Sequence, residues 1–431
     1  MMPCARLTQV MTDSLNLARQ LPEGKRPLPW KPPRPSSMTQ RVLVIQLARL
    51  GDLVQTSPAV TALKDAHANW TVDLLCPAHL EDIGRALPGI STVVTWDGAG
   101  WKQRALQAEK EFRPEYLVEA DTDIRAIVKE PYDCAFVLNQ HPRAILAGAL
   151  LARDSMGAIS GGPLDHKLSP WATYVRSVAS DKGDNRVHLA DAFCGMCGVA
   201  PPKEKMPLQV LSAPLPPDLD AIRQSDEAWI GLLVGAGDSE RVIPASVLVQ
   251  LITACLNRLP HGRVVLLGSR HEQERAHWIQ TRLSPSLLGR VWDTIGRLSL
   301  SELALVLTRC QVVIGADTGP LHLAAAVGTK VIGWYFARAR LHETGPYGPH
   351  HWVWQATGGA GHAQPVIIPH RWPIDETIAL LSSDQVDSVP GWSLWESHRD
   401  QWGAYYVQAG QEAIAPLQRE HVWTDLHLAV G

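Results

Sequence analysis

An α/β fold built as two doubly wound halves is what this sequence predicts, on three observations. From residue 41 onward, short apolar runs alternate with helical patterns. The polar, Pro-rich stretch "APPKEKMPLQVLSAPLPPDLD" (200–220) breaks that rhythm once, after which it starts again. At 431 residues the chain is too long for one core and suits two domains of ordinary size with additions.

In the first half, strands are expected at 42–47, 71–76, 92–96 and 134–138, with helices at 57–67, 79–87, 142–152 and 187–198 between and after them. Strands that alternate with helices imply a parallel sheet covered on both faces. In the second half the strands fall at 229–234, 264–267, 312–314 and 331–334, and the helices near 245–258, 271–283, 301–308 and 320–327. The expected division is a Pro-rich basic arm (1–38), an N-terminal Rossmann-like domain (39–205), a C-terminal Rossmann-like domain (215–385) and an extension (386–431). The extension loses the rhythm but holds Trp392, Trp395, Trp402 and Trp423, which suggests a docked helix or loop. Two such halves face one another across a cleft, and ligands bind outside the carboxyl ends of their strands.

Composition narrows the class. Hydrophobic residues at 45% and charged residues at 19% are those of a soluble globular protein. A formal net charge of -3 supplies no field that would recruit nucleic acid. No run approaches the ~18 apolar residues of a membrane span, and the N-terminus lacks the apolar core of a signal peptide. Seven scattered cysteines argue against a disulfide framework and for a reducing cytoplasm. Cys194-Gly-Met-Cys197 lacks a second ligand pair and reads as part of a buried helix face. The arm sets Arg6, Arg19, Lys25, Arg26, Lys31 and Arg34 against Asp13 and Glu23. A peripheral contact with an anionic membrane is one reading of it, and a solvated extension the plainer one.

Three loops of the second half suit a phosphorylated nucleotide. Asp317-Thr318-Gly319 follows a strand and opens a helix at Pro320. Helix N-termini leave N–H groups unpaired and attract anions; Gly319 admits a close approach, Thr318 adds a hydroxyl, and His322 lies in the same turn. A plain N-cap explains Asp317 or Thr318 equally well. "LLVGAGDSERVIP" (232–244) brings Gly237 and the cation Arg241 after another strand, although a lone GxG is a weak signal. In "VVLLGSRHEQERA" (264–276), Glu272 stands where a carboxylate accepts from ribose hydroxyls, or simply occupies a first helical turn. In the first half, Gly51-Asp52 stands where the chain leaves the first strand.

Together these motifs resemble glycosyltransferase family nine, the heptosyltransferases of lipopolysaccharide assembly. "RLGDLVQTSPAVTALK" is similar to the family's opening S-x-G-D pattern, and "GADTGPLHLAAAVGTKVIGWY" to its D-T-G-x-x-H-L-A-A-A signature, in motif order over about residues 40–355. The resemblance implies a GT-B fold with the donor held by the C-terminal domain, and an inverting, metal-independent transfer. The sugar, heptose from ADP-heptose, would pass to a hydroxyl of a cell-surface glycan such as lipopolysaccharide core. It implies Asp52 as the catalytic base, with Gly237, Arg241, Glu272, Asp317, Thr318, Gly319 and His322 on the donor. The family's usual lysine and Trp-Pro are here Arg241 and Ile243-Pro244, a departure that bears on the donor more than on the fold.

No cofactor beyond the nucleotide-sugar co-substrate is expected, nor a metal, since Asp121-Thr-Asp123 lies away from the phosphate loops. Expected partners are the donor and a glycan or lipid-linked acceptor, at a cytoplasmic location that includes the inner face of the inner membrane. Arg338 and Arg340 are further candidates to neutralise the diphosphate. Alternatives are a non-catalytic nucleotide-sugar-binding protein, or a transferase with another donor or a protein acceptor. A dehydrogenase is disfavoured because no strand leads into GxGxxG.

Overall fold

The computed structural model describes residues 39–98, 100, 103–104, 107, 122, 126–162, 165–180, 185–204, 207–210, 215–217, 228–357, 369–382 and 386–428. The N-terminal arm, Asp121, Asp123 and much of the 200–220 break lie outside these residues.

The first sheet consists of β1 (Arg41–Ile45), β2 (Thr71–Pro77), β3 (Thr92–Trp96), β4 (Cys134–Val137), β5 (Ser155–Gly162) and β6 (Asp165–Leu168), in the order β3-β2-β1-β4-β5-β6. All neighbours are parallel except β5 and β6. Val42, Leu43, Val44 and Ile45 of β1 are fully buried. A central parallel strand is covered on both faces, so its apolar residues run on instead of alternating. Among the described helices of this half are α1 (Leu50–Gln55), α2 (Ser57–Ala66), α3 (Glu81–Ala86), α4 (Pro142–Leu151), α5 (Pro170–Ser180) and α6 (Leu189–Met196).

The second sheet repeats the winding. Its parallel strands β7 (Trp229–Leu233), β8 (Arg263–Leu267), β9 (Val291–Asp293), β10 (Val312–Ala316), β11 (Lys330–Tyr335) and β12 (Trp352–Ala356) are ordered β9-β8-β7-β10-β11-β12. The chain order reverses between β1 and β4 in one sheet and between β7 and β10 in the other, which creates a crevice at each switch point. Among the second-half helices are α7 (Ala245–Arg258), α8 (Gln273–Gln280), α9 (Leu300–Arg309) and α10 (Gly319–Ala326). Along α7, Val247, Leu248, Leu251, Ile252, Cys255 and Leu256 recur at helical spacing and are buried. Each such burial stabilises by roughly 1.5–3 kcal/mol. The stretch Ser239–Arg258 is long and apolar enough to cross a membrane by length and composition alone; here its apolar stripe forms core with β7, β8 and β10. A capping box starts α9: Ser299 N–H donates to Glu302 Oε2 at 2.6 Å, and Glu302 N–H to Ser299 Oγ at 3.2 Å.

One expectation is extended and another corrected. The helix expected at 57–67 is found at Ser57–Ala66, but the separate turn α1 precedes it, with Asp52 accepting the Arg49 N–H at 3.3 Å. Pro58, which cannot donate to the preceding turn, keeps α1 and α2 as two segments that meet at Thr56. The extension is not merely a docked helix or loop. β13 (Trp392–Asp400) and β14 (Gly403–Gln408) add antiparallel to β12, and α11 (Leu417–Leu428) follows. α11 returns to the first half, where Trp423 packs on Trp171 of α5 with ring centroids 4.3 Å apart. One apolar cluster therefore runs through both halves, from Val42 and Phe136 to Leu321, Tyr406 and Trp423.

Candidate active site

The loops singled out in the second half converge on the carboxyl ends of β7, β8 and β10. Asp317, 6% exposed, lies just after β10. Its Oδ2 accepts from Arg241 Nη1 at 2.6 Å, and its Oδ1 lies 3.2 Å from His322 Nε2. Arg241 Nη1 also donates to the Asp317 carbonyl at 3.1 Å. Burial works against the Asp317 charge, but His322 and Arg241 outweigh it and hold the carboxyl below its usual range. An ionised carboxylate cannot donate to a phosphate. Asp317 instead fixes Arg241, whose side chain keeps 20% of its surface exposed, at the N-terminus of α10.

Thr318 is the N-cap of α10 and spends no side-chain bond on capping. Its hydroxyl and the first N–H groups of the helix belong to the same anion-suited corner. Glu272 sits between two loops: its Oε2 accepts from Ser269 N–H at 2.7 Å and from Ser269 Oγ at 2.6 Å. A Cβ at Gly235 would come within 2.5 Å of Glu272 Oε1, so the missing side chain is what admits the carboxylate there. Glu272 thus has a capping role on one oxygen and leaves Oε1 over the β7 loop. Gly237 is exposed and a Cβ there would meet nothing within 4 Å, so no protein atom demands glycine at that position.

Arg275, which the sequence did not single out, ties the floor together. Its Nε donates to Val234 O at 2.9 Å and its Nη2 to Ile243 O, across the Gly235–Val242 loop. Burial lowers its otherwise very high pKa. Nothing local marks this arginine in the sequence, because its partners are backbone carbonyls. Arg340 donates to the carbonyls of Ala337 and Ala339, and Arg338 stands exposed 3.6 Å from Glu240.

Asp52 approaches this corner from the other half. α1 crosses the N-terminus of α10 so closely that a Cβ at Gly51 would lie 2.9 Å from His322 Cδ2. A Cβ at Gly319 would lie 3.0 Å from Leu50 Cβ. Two glycines let the helices meet, and the crossing brings Asp52 within electrostatic reach of His322. Burial raises the Asp52 carboxyl above its ordinary value, against the Arg49 N–H bond and the influence of His322 and Arg49. A carboxylate raised in this way by burial is a stronger base than an exposed one.

His322 is 6% exposed; with Nε2 on Asp317, its Nδ1 is buried without a protein partner. Among the described residues no group of three or more His, Cys, Asp or Glu is placed to hold a metal ion. The carboxylates of Asp121 and Asp123 lie outside those residues.

Residues 180–363 match the sequence model of glycosyltransferase family 9 (heptosyltransferase). No curated protein matches the chain. Among solved structures, a family 9 glycosyl transferase from Veillonella parvula aligns with a TM-score of 0.56 at 18% identity, covering 75% of this chain and 88% of its own. The E. coli heptosyltransferase WaaC with ADP aligns at 0.55 and 19% identity, covering 74% and 94%. The E. coli ADP-heptose lps heptosyltransferase II aligns at 0.50 and 15% identity, covering 71% and 87%. At these identities the structural likeness establishes the two-domain GT-B fold.

Proposed function

We propose that the chain, whose residues 180–363 match the glycosyltransferase family 9 model, is a glycosyltransferase that transfers heptose from ADP-heptose to a hydroxyl of a cell-surface glycan such as lipopolysaccharide core. The observation that carries the reading is the crossing of α1 and α10, which brings the buried Asp52 carboxylate within electrostatic reach of His322 at the helix N-terminus beside which Asp317 holds Arg241. In the proposed step Asp52 takes the proton of the acceptor hydroxyl as its oxygen forms a bond to the anomeric carbon. The bond from that carbon to the diphosphate breaks on the opposite side, with inversion, and the nucleoside diphosphate leaves with the electron pair. Its charge is met by Arg241, Thr318 and the N–H groups that open α10. Glu272 Oε1 accepts from the ribose. Gly237 allows the backbone to approach the diphosphate.

The choice of ADP-heptose is supported by the similar fold of E. coli WaaC, solved with ADP and with ADP-2-deoxy-2-fluoro heptose. The transfer is proposed to need no metal or further cofactor, and to take place in the cytoplasm, with the basic arm as a peripheral contact to the inner membrane. The test is incubation with ADP-heptose and a truncated lipopolysaccharide core, with and without EDTA, read by mass spectrometry. A gain of one heptose in both is expected. A gain only from another nucleotide sugar or only on a protein would replace the donor or the acceptor, and nucleotide binding without any transfer would leave a binding protein.

A further inference from the structure

The loop Gly235–Val242 carries the cation of the phosphate corner, and its own structure is one short helical turn, Ser239–Arg241. Glycines at 235 and 237 widen its choice of backbone conformation. Its backbone bonds are local: Arg241 N–H donates to Asp238 O at 3.0 Å, and Val242 N–H to Ser239 O at 3.4 Å. Arg338 reaches Glu240 across exposed surface at 3.6 Å, a pair of the kind that contributes little. Yet Arg241 meets both the carboxylate and the carbonyl of Asp317, which requires the loop to stand in one place.

The half-buried Arg275 of α8 supplies the anchor. Its guanidinium donates to both ends of the loop, through Nε to Val234 O at 2.9 Å and through Nη2 to Ile243 O. Fixing the two ends limits the conformations open to the residues between them. A planar fork serves two carbonyls at once, whereas an ammonium on a flexible stem has no such geometry. Glu272, the N-cap of α8, stands three residues earlier and fills the space beside Gly235. The start of the loop therefore meets two side chains from one turn of α8. We propose that Arg275 is a positioning residue for the donor: by clamping the ends of the Gly235–Val242 loop, it sets Arg241 beside α10 before a diphosphate binds. A cation placed in advance loses less freedom on binding. The proposal rests on the donor site of the transfer reading above, and Arg275 acts there through Arg241 without touching the donor.

Arg275→Met keeps an unbranched apolar stem and removes the fork, while Arg275→Lys keeps the charge and can serve one carbonyl. Both are checked by thermal unfolding and titrated with ADP by calorimetry, alone and combined with Arg241→Ala. Arg275→Met is expected to weaken ADP binding about five- to twentyfold, the scale of one charge-assisted contact, with Arg275→Lys between it and wild type. Because the loss passes through Arg241, adding Arg275→Met to Arg241→Ala should weaken ADP binding by no more than about a further twofold. Unchanged ADP affinity in the folded variants overturns the proposal. So does a double variant whose loss is the product of the two single losses, as an arginine that acts independently of Arg241 would give. If Arg275→Met does not fold, Arg275→Lys with Arg241→Ala decides by the same comparison. A wild type that binds no ADP defeats the donor reading itself, whereas a wild type that binds ADP no more tightly than the Arg275 variants defeats only the positioning role.

Discussion

Arg241 shows how a residue's role follows from its partner. Its guanidinium is held by the Asp317 side chain and carbonyl, and so keeps one orientation at the mouth of the β7 and β10 loops. A charge fixed in advance loses little freedom when a diphosphate binds. Arg241→Ala is expected to weaken binding of ADP by ~1.5–3 kcal/mol, as for one charge-assisted contact, by titration calorimetry. Unchanged affinity would remove Arg241 from the donor site. Asp317 and Arg241 lie 76 residues apart, and the sequence offered each as a phosphate ligand, not as a pair. The loops were legible because glycine, hydroxyl and cation follow strands at motif spacing. The pairing was not, because it depends on how two strand ends are placed side by side.

At the scale of elements, the crossing of α1 and α10 explains the glycine of Gly51-Asp52. In an exposed helix, alanine at a glycine position gains up to about 1 kcal/mol. Here the new methyl would press on His322, which is buried and already held by Asp317. Gly51→Ala is therefore expected to lower stability by about 1–3 kcal/mol in urea unfolding, the range for overpacking. Gly237→Ala, which meets no protein atom, should leave stability unchanged and weaken ADP binding. A stable Gly51→Ala protein with wild-type activity would mean that the helices do not meet as described. Most strands and helices of both halves were readable from periodicity, since buried parallel strands are apolar throughout. β13 and β14 were not. Their burial neither runs on nor alternates strictly, with Trp395 and Glu396 both half-buried and Ser397 buried in β13, so no strand period marks them and only β12 tells them where to pair. α1 was hidden too, because its capping carboxylate is Asp52, the residue singled out for chemistry.

At the scale of the molecule, the extension fastens the two halves at a fully buried carboxylate. Asp191 of α6 accepts from the Tyr347 hydroxyl at 2.7 Å and from the Ala404 N–H of β14 at 2.9 Å. Beside it, buried His188 keeps its pKa low, near 3, and contacts Gly345 O at 2.9 Å. Burial pushes Asp191 up to about 7, against its hydrogen bonds and the charges of Arg419 and Arg399. A folded state that favours the protonated carboxyl is most stable below the ordinary carboxylate range and loses that contribution as pH rises through about 7. Between pH 5 and pH 8 the wild type should thus lose more thermal stability than Asp191→Asn; parallel curves would show that Asp191 does not titrate there. In the proposed transfer one half brings the base and the other the leaving-group site. The pH-rate profile of Asp52→Asn tests that division most directly. The account predicts a wild-type acid limb lying above the ordinary carboxylate range, because burial raises Asp52. It predicts loss of that limb in the variant, with turnover down ~10²–10⁴-fold and ADP affinity unchanged. An acid limb that survives in Asp52→Asn, or near-wild-type turnover, would contradict it.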